Sequence, residues 1–148
     1  MKLNVMNQSI VIRKAVKKDL PRIVGISKNL RQLENYPHQK MGKTEFEKFL
    51  FGDFAFMLVA EADKRVAGYI TGFRSDDYFF LPFSTVDKKF RRLGIASLLI
   101  KKVEEMAYKE KQKYILYTAY TSNKAIEKFS KKMGYKKSRT LVQYHKIL

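Results

Sequence analysis

The chain has 148 residues, with 31 Lys and Arg against 14 Asp and Glu, two His and no Cys. That length suits one domain with a core of its own, and an apolar share of 45% excludes intrinsic disorder as the main state. The lack of Cys excludes disulfide frameworks, thiolate zinc sites and cysteine nucleophiles. No apolar run can cross a bilayer, and the N-terminus lacks the core of a signal peptide. We therefore expect one soluble, cytoplasmic domain over residues 1–148, without a membrane partner.

The positive charge is unevenly distributed along the chain. Residues 1–87 carry 14 basic and 10 acidic side chains, whereas residues 88–148 carry 17 basic and 4 acidic ones. A polyanion is the natural partner of such a basic part, which leaves nucleic acid, anionic lipid and a phosphorylated cofactor as candidates. A lysine-rich chain with solvated helix faces explains the same counts, so charge alone does not select a function.

Periodicity and turn signals predict the elements of the first half. A strand over residues 9–13 precedes a helix over residues 16–33, in which apolar side chains recur at helical spacing. A capping-box pattern at residues 44–47 begins a second, short helix. Two β-rich runs, residues 54–61 and 65–73, predict a hairpin.

The second half begins with a third β-rich run over residues 78–86, which Pro82 interrupts. A proline there predicts an edge position or a bulge. The remaining elements are predicted as helix, strand, helix and strand, over residues 95–109, 113–120, 123–133 and 140–147. This order predicts an α/β (α+β) domain with a mixed sheet, antiparallel early and with a β-α-β crossover late.

The junction of residues 86–97 carries the most chemistry. A strand ends at Val86, a basic loop follows, and an amphipathic helix begins after Gly94. The first amides of such a helix have no partners within it and attract an anion, together with the helix dipole. Gly94 lets a phosphate approach the backbone, and Arg91 and Arg92 add charged donors. The junction predicts a pyrophosphate site, with a plain strand-to-helix turn as the alternative.

The motif Arg91-x-x-Gly94-x-Ala96 resembles the acetyl-CoA-binding signature of the GNAT acetyltransferase superfamily, Arg/Gln-x-x-Gly-x-Gly/Ala. Further on, the helix that begins at Asn123 and ends at Gly134 resembles the second motif of that family. The resemblance implies the GNAT acyl-CoA N-acyltransferase fold, a mostly antiparallel sheet flanked by helices with strands splayed at a cofactor wedge. It also implies a transferase that moves an acetyl group from acetyl-CoA to an amine.

The resemblance further implies which residues hold acetyl-CoA. The wedge would open where the strand ending at Val86 splays from residues 113–120, with strand backbone pairing to the pantetheine arm and loop amides holding the pyrophosphate. The cofactor-binding residues are then Ser84, Thr85, Val86, Arg91, Arg92, Leu93, Gly94, Ile95, Ala96, Ser97 and Asn123. For Asn123, a helix N-cap is the alternative role.

The catalytic groups are less defined. The family commonly has a Tyr four residues before the helix-ending Gly, as the acid that faces the departing thiolate, and this chain has Ser130 there. A serine hydroxyl is a far weaker acid, although it still donates a hydrogen bond. Tyr144 on the last predicted strand is a second catalytic candidate. The general base stays unidentified, and its other candidates are Asp76, Asp77, Tyr78, Thr118 and Tyr120.

Three function classes stay open at this point. The first is an N-acetyltransferase for a protein N-terminal, lysine or small-molecule amine. The second is an acyl-CoA-binding GNAT module with little turnover, which Ser130 favours, and the third and least favoured is a nucleic-acid-binding protein. We expect no metal site, because His38 and His145 have no carboxylate cluster near them in the sequence. Homodimers are frequent in the family, although no residue pattern here demands one.

Overall fold

The strands of the structure lie between residues 2 and 116. Within residues 2–5, 8–28 and 41–148, which the computed structural model describes, seven strands form one sheet. They are β1 (Lys2–Val5), β2 (Gln8–Lys14), β3 (Ala55–Ala62), β4 (Arg65–Arg74), β5 (Tyr78–Phe80), β6 (Ser84–Val86) and β7 (Tyr114–Leu116). The α-helices are α1 (Leu20–Ser27), α2 (Lys43–Glu47), α3 (Ile95–Lys109) and α4 (Lys124–Lys132).

Contacts between residues separate the chain into two units, Met1–Tyr117 and Thr118–Leu148. The first unit holds the whole sheet with α1, α2 and α3, and the second holds α4. The expectation of one domain over residues 1–148 stays a prediction. No helix among the described residues is both long and apolar enough to span a membrane.

The sheet is mixed, as predicted. Strands β1 to β5 follow each other as antiparallel neighbours, and β7 pairs with β5 in parallel at the end of that path. Strand β6 lies off the path and pairs with β4, antiparallel. A parallel partner needs a long crossover, and α3 supplies it between β6 and β7.

The predicted hairpin is formed by β3 and β4 around a two-residue turn. Asp63 and Lys64 both have positive φ, 50° and 61°, which is the backbone of a type I′ turn and matches the twist of the strands. The register shifts between Ala60 and Glu61, so one residue of β4, Ala67, is extra there and forms a bulge.

The core is divided between the two faces of the sheet, because successive strand side chains point to opposite sides. One face packs against α1 and α2 through buried residues that include Leu20, Ile23, Phe46, Met57, Val59 and Tyr69. The other packs against the apolar stripe of α3, whose buried residues are Ile95, Leu98, Leu99, Ile100, Val103 and Ala107. The helix predicted over residues 95–109 is confirmed.

Several predicted boundaries are wrong by a few residues. The first helix begins with a 3-10 turn, Lys17–Asp19, and α1 follows; residues 29–40, with His38, lie outside the described part. The second helix begins earlier than predicted, since Glu45 accepts from the Gly42 N–H at 2.8 Å. The run over residues 78–86 divides into two strands on either side of Pro82.

The last predicted strand is not formed. Residues 135–148 contain no helix or strand, although their apolar and polar side chains alternate. Alternating apolar and polar side chains give a strand one apolar face. To form, the strand must also hydrogen-bond to the edge of a neighbouring strand in the right register. The sequence of this segment carries no signal for that second requirement.

Candidate active site

A glycine on β4 permits the close contact with β6 and α3. A Cβ on Gly68 would lie 2.9 Å from the backbone oxygen of Thr85 and 3.2 Å from side-chain carbons of Ile95 and Val86. The distance to the backbone oxygen is too short for a Cβ, so any other residue at this position would push β6 away. The start of α3 and the end of β6 are thereby held against the same point of β4.

A buried threonine fixes the irregular segment between β5 and β6. The hydroxyl of Thr71 donates to the Phe83 carbonyl at 3.0 Å and accepts from the Phe83 N–H at 3.1 Å. The Thr71 N–H also donates to the Phe83 carbonyl, at 2.8 Å. A break in the ladder at Pro82 therefore leaves the neighbouring Phe83 fully hydrogen-bonded. This segment connects β5 to β6.

The two strands then differ at their outer edges. Strand β5 pairs with β7 over Tyr78–Phe80, and the Leu81 N–H extends this contact to the Leu116 carbonyl at 2.9 Å. Strand β6 pairs with β4 alone among the described strands. Its second edge presents backbone groups that an extended ligand can pair with, and this is the edge at which the resemblance places the pantetheine arm.

Asp87 ends β6 and begins the basic loop. Its carboxylate accepts from the Lys89 N–H at 3.0 Å and forms an ion pair with Arg22 on α1. The hydrogen bond from the Lys89 N–H is the main cause that holds the pKa of Asp87 below its ordinary value; burial opposes it, and the contact with Arg22 adds to the lowering. Arg22 is itself held by a hydrogen bond to the Val66 carbonyl at 3.1 Å. The one acidic side chain of the loop is thus balanced by a cation.

The loop itself is basic and tightly turned. A 3-10 helix covers Lys88–Phe90, and Arg92 takes a left-handed conformation with φ of 66°. Arg91 is exposed, and its Nε donates to the Val86 carbonyl at a long 3.4 Å. Such a weak anchor leaves the guanidinium available to an anion.

Gly94 forms the N-terminal cap of α3 in the left-handed conformation, with φ of 76°. The Leu98 N–H donates to the Gly94 carbonyl at 3.0 Å, so the amides of Ile95, Ala96 and Ser97 precede the first intrahelical bond. A Cβ on Gly94 would meet no atom within 4 Å. The space beside the Gly94 Cα is thus free of other described residues, and the residues present fit a pyrophosphate group.

Two predicted site residues lie on α4 in the second unit. The side-chain oxygen of Asn123 accepts from the Ile126 N–H at 3.1 Å, which makes Asn123 the N-cap of α4. The Ser130 hydroxyl donates to the Ile126 carbonyl at 2.6 Å. Both contacts are local to the helix, and both residues stay predictions as cofactor or catalytic groups.

The candidates for general base differ in their contacts. Tyr144 is 89% exposed and lies in the segment where the predicted strand is absent. Asp77 pairs with Lys113 at 2.9 Å, and the ring of Tyr78 stacks on Tyr114 at 4.9 Å. The structure thus assigns the base to none of them. Among the described residues, no group of three His, Asp or Glu lies close enough to hold a metal ion.

Three residues that shape this site were not predicted from the sequence. Gly68 had a usable signal, since an isolated glycine in a β-rich run marks a close approach or a bulge. Thr71 had a weaker signal, which is a hydroxyl side chain placed between apolar neighbours in the sequence. The contact of Arg22 with Asp87 joins residues 65 positions apart and has no local signal.

Comparison with known proteins identifies the family. The chain matches the model of the acetyltransferase (GNAT) family over residues 23–135. It is similar to the aminoglycoside N-acetyltransferase AAC(6')-Iy in complex with CoA, at 21% identity and a TM-score of 0.79, over 94% of this chain and 95% of that one. It is also similar to a possible acetyltransferase from Clostridium difficile 630, at 20% identity and a TM-score of 0.78, over 94% of this chain and 99% of that one.

A third similar structure is an aminoglycoside acetyltransferase, meta-AAC0020, from an uncultured soil metagenomic sample, in complex with sisomicin. Its identity is 15% and its TM-score 0.73, over 94% of this chain and 96% of that one. The family match includes both motifs found in the sequence and does not favour the acyl-CoA-binding module or the nucleic-acid-binding protein. The chain belongs to the GNAT acetyltransferase family and is an acetyl-CoA-dependent N-acetyltransferase.

Proposed function

We propose that acetyl-CoA lies along the unpaired edge of β6, with its pyrophosphate at the start of α3. The observation that carries this placement is the open space at Gly94, which follows a strand with one edge that none of the described strands pairs with. Ser84, Thr85 and Val86 pair with the pantetheine arm through their backbone groups. The other residues of the proposed site are Arg91, Arg92, Leu93, Gly94, Ile95, Ala96, Ser97 and Asn123.

The reaction is an acyl transfer in which acetyl-CoA supplies the activated thioester. The amine nitrogen forms a bond to the acetyl carbon, the carbon–sulfur bond breaks, and the sulfur takes up a proton. An amine that is protonated at neutral pH has to lose a proton before it can attack. We assign the hydrogen bond to the departing sulfur to Ser130, whose hydroxyl would turn from the Ile126 carbonyl to do so.

The acceptor is proposed as a small-molecule amine, with aminoglycosides as the first class to test. Two of the proteins with similar structures are aminoglycoside acetyltransferases. We further propose that the enzyme acts in the cytoplasm, because a highly charged phosphate ester such as acetyl-CoA does not cross a lipid bilayer unaided. A homodimer is the oligomeric state to test first, by light scattering.

Calorimetry with acetyl-CoA tests the placement, with CoA and ADP as comparisons. We expect a saturable high-affinity site for acetyl-CoA that ADP fills more weakly, and at least about tenfold weaker acetyl-CoA binding at that site in Arg91→Glu. Lys109→Glu is the matched control, because it reverses the same charge at an exposed position near the end of α3. Equal affinity in Arg91→Glu and the parent would contradict the placement.

Turnover is tested with a panel of aminoglycosides, lysine peptides and peptides with free N-termini. Thiolate release is followed for the parent, Ser130→Ala and Ser130→Tyr. We expect the tyrosine to raise the rate, because a phenol is the stronger acid, and the alanine to lower it. Equal rates for all three would remove Ser130 from the mechanism and leave the placement of acetyl-CoA standing.

A further inference from the structure

A second concave surface lies apart from the proposed acetyl-CoA site. It is a cavity of about 640 Å³ between the start of α1, the end of β2, the turn of the β3–β4 hairpin and the 3-10 helix Lys88–Phe90. None of the residues proposed to bind acetyl-CoA lines it. Val66 and Phe90 also line it, so an aliphatic and an aromatic residue accompany the charged side chains.

Cationic side chains dominate the lining. Six of them stand against two carboxylates, and the six are Arg13, Lys18, Arg22, Lys64, Arg65 and Lys89. Both carboxylates are already held by Arg13, which binds Asp19 at 2.7 and 3.0 Å and Glu61 at 2.8 and 3.1 Å. The interior of the cavity therefore has an excess of positive charge that its own acids do not balance.

Lys64 and Arg65 are the cations with the least internal compensation. Neither makes a salt bridge within the part of the chain that the structure describes. Lys18 and Lys89 lie in the fields of Asp19 and Asp87, but those carboxylates are bonded to Arg13 and Arg22. An anion that entered the cavity would meet donors without displacing a protein carboxylate.

The turn that carries Lys64 has a strained backbone. Lys64 has φ of 61°, at the second central position of a type I′ turn, where glycine is the most favourable residue. A non-glycine residue in that conformation costs about 1 kcal/mol. The chain thus has an ammonium group at the cavity where backbone stability alone would favour glycine.

We propose that this cavity binds a small ligand with two or more linked phosphate groups, held by Lys18, Lys64, Arg65 and Lys89. Linked phosphates match the spread of four cations around one concave surface better than a single carboxylate does. A nucleoside polyphosphate and an inorganic polyphosphate share this chemistry, and Phe90 offers a stacking surface only to the former.

Calorimetric titration with inorganic tripolyphosphate, in 0.15 M salt at about physiological ionic strength, tests the proposal. The titrated chain carries Arg91→Glu, which weakens the pyrophosphate site at α3. CoA is not used to block that site, because its linked phosphates would enter the cavity as well. We expect one saturable site, and the absence of saturable binding would overturn the proposal.

Variants then locate the site. Lys64→Gly/Arg65→Ala is expected to weaken tripolyphosphate about tenfold or more, and glycine at position 64 relieves the strained turn, so the fold is kept. Lys101→Ala/Lys109→Ala removes the same charge from exposed positions of α3 and is expected to change affinity less than about twofold. Equal losses in the two variants would mean diffuse attraction and would overturn the proposal. ATP that binds more tightly than tripolyphosphate would identify the nucleoside form.

Discussion

Strands β5 and β6 follow each other along the chain and pair with the same strand, yet among the described strands only β5 has a partner on both sides. Strand β5 lies between β4 and β7, and its central Phe79 is fully buried against Phe56, with ring centroids 5.1 Å apart. Strand β6 pairs with β4 alone among the described strands, and Ser84 on it is exposed.

The difference shows how one β-rich run provides both a buried strand and an edge that we propose binds the cofactor. An unpaired strand edge is a liability in water, because its N–H and C=O groups invite another chain. Here the edge is only three residues long and is followed at once by the basic loop and the open amides of α3. The short length limits unwanted pairing, and the neighbouring charge favours an extended ligand that ends in phosphates.

The largest expected effect is the loss of folding stability when a side chain of β5, and not one of β6, is truncated. Phe79→Ala is expected to lower the free energy of unfolding by about 3–5 kcal/mol, because it opens a cavity in the core. Thr85→Ala at the centre of β6 is expected to lower it by less than about 1 kcal/mol. Urea unfolding of both variants measures the two values. Similar losses would mean that β6 is as much a part of the core as β5.

A smaller effect is expected where the chain passes between the two strands. Thr71→Val leaves the partly buried Phe83 N–H without its acceptor, which costs about 1–3 kcal/mol, and it loosens the start of β6. We therefore expect acetyl-CoA to bind several-fold more weakly as well, in calorimetry, with Thr71→Ser restoring both values. A stable variant with parental affinity would show that Thr71 does not position β6.

Gly94→Ala is expected to act mainly on binding. Gly94 and Gly52 both have positive φ, 76° and 90°, with no atom within 4 Å of an added Cβ. Alanine at either position is expected to cost about 1 kcal/mol of stability. Only at Gly94 does the methyl group occupy the proposed phosphate space, so only there is acetyl-CoA expected to bind about tenfold or more weakly. Equal affinities of the two variants would contradict the proposed cradle.

The smallest effect concerns acid stability at the end of β6. The pKa of Asp87 lies below its ordinary value of 3.8 in the folded state, so its contribution is present above about pH 4 and is lost as the pH falls through the folded-state pKa. Asp87→Asn is expected to be less stable than the parent by under about 1 kcal/mol at pH 6, with the gap closing below pH 4. Asp53→Asn serves as the control at an exposed position. A gap that persists at pH 2 would exclude the charge as its cause.

The sequence predicted well those elements whose signals lie within a few residues. The stripe of Ile95, Leu98 and Val103 specifies a helix face, and Gly94 marks its beginning, so α3 and the proposal of an anion site in front of it both follow from local patterns. The hairpin also followed, because the turn at Asp63 and Lys64 separates two β-rich runs. Boundaries were predicted less well where no side chain caps a helix, as at the start of α1.

What the sequence by itself determined is the family, through Arg91-x-x-Gly94-x-Ala96 and the helix led by Asn123, and with it the mixed sheet and the use of acetyl-CoA. Only the tertiary structure decided which strand edge stays open, that residues 140–147 form no strand, and that a basic cavity gathers at the hairpin turn. Helix faces and caps depend on neighbours within one or two turns. Strand partners and cavities depend on residues far apart in the chain, such as Arg22 and Asp87, whose encounter no local pattern encodes.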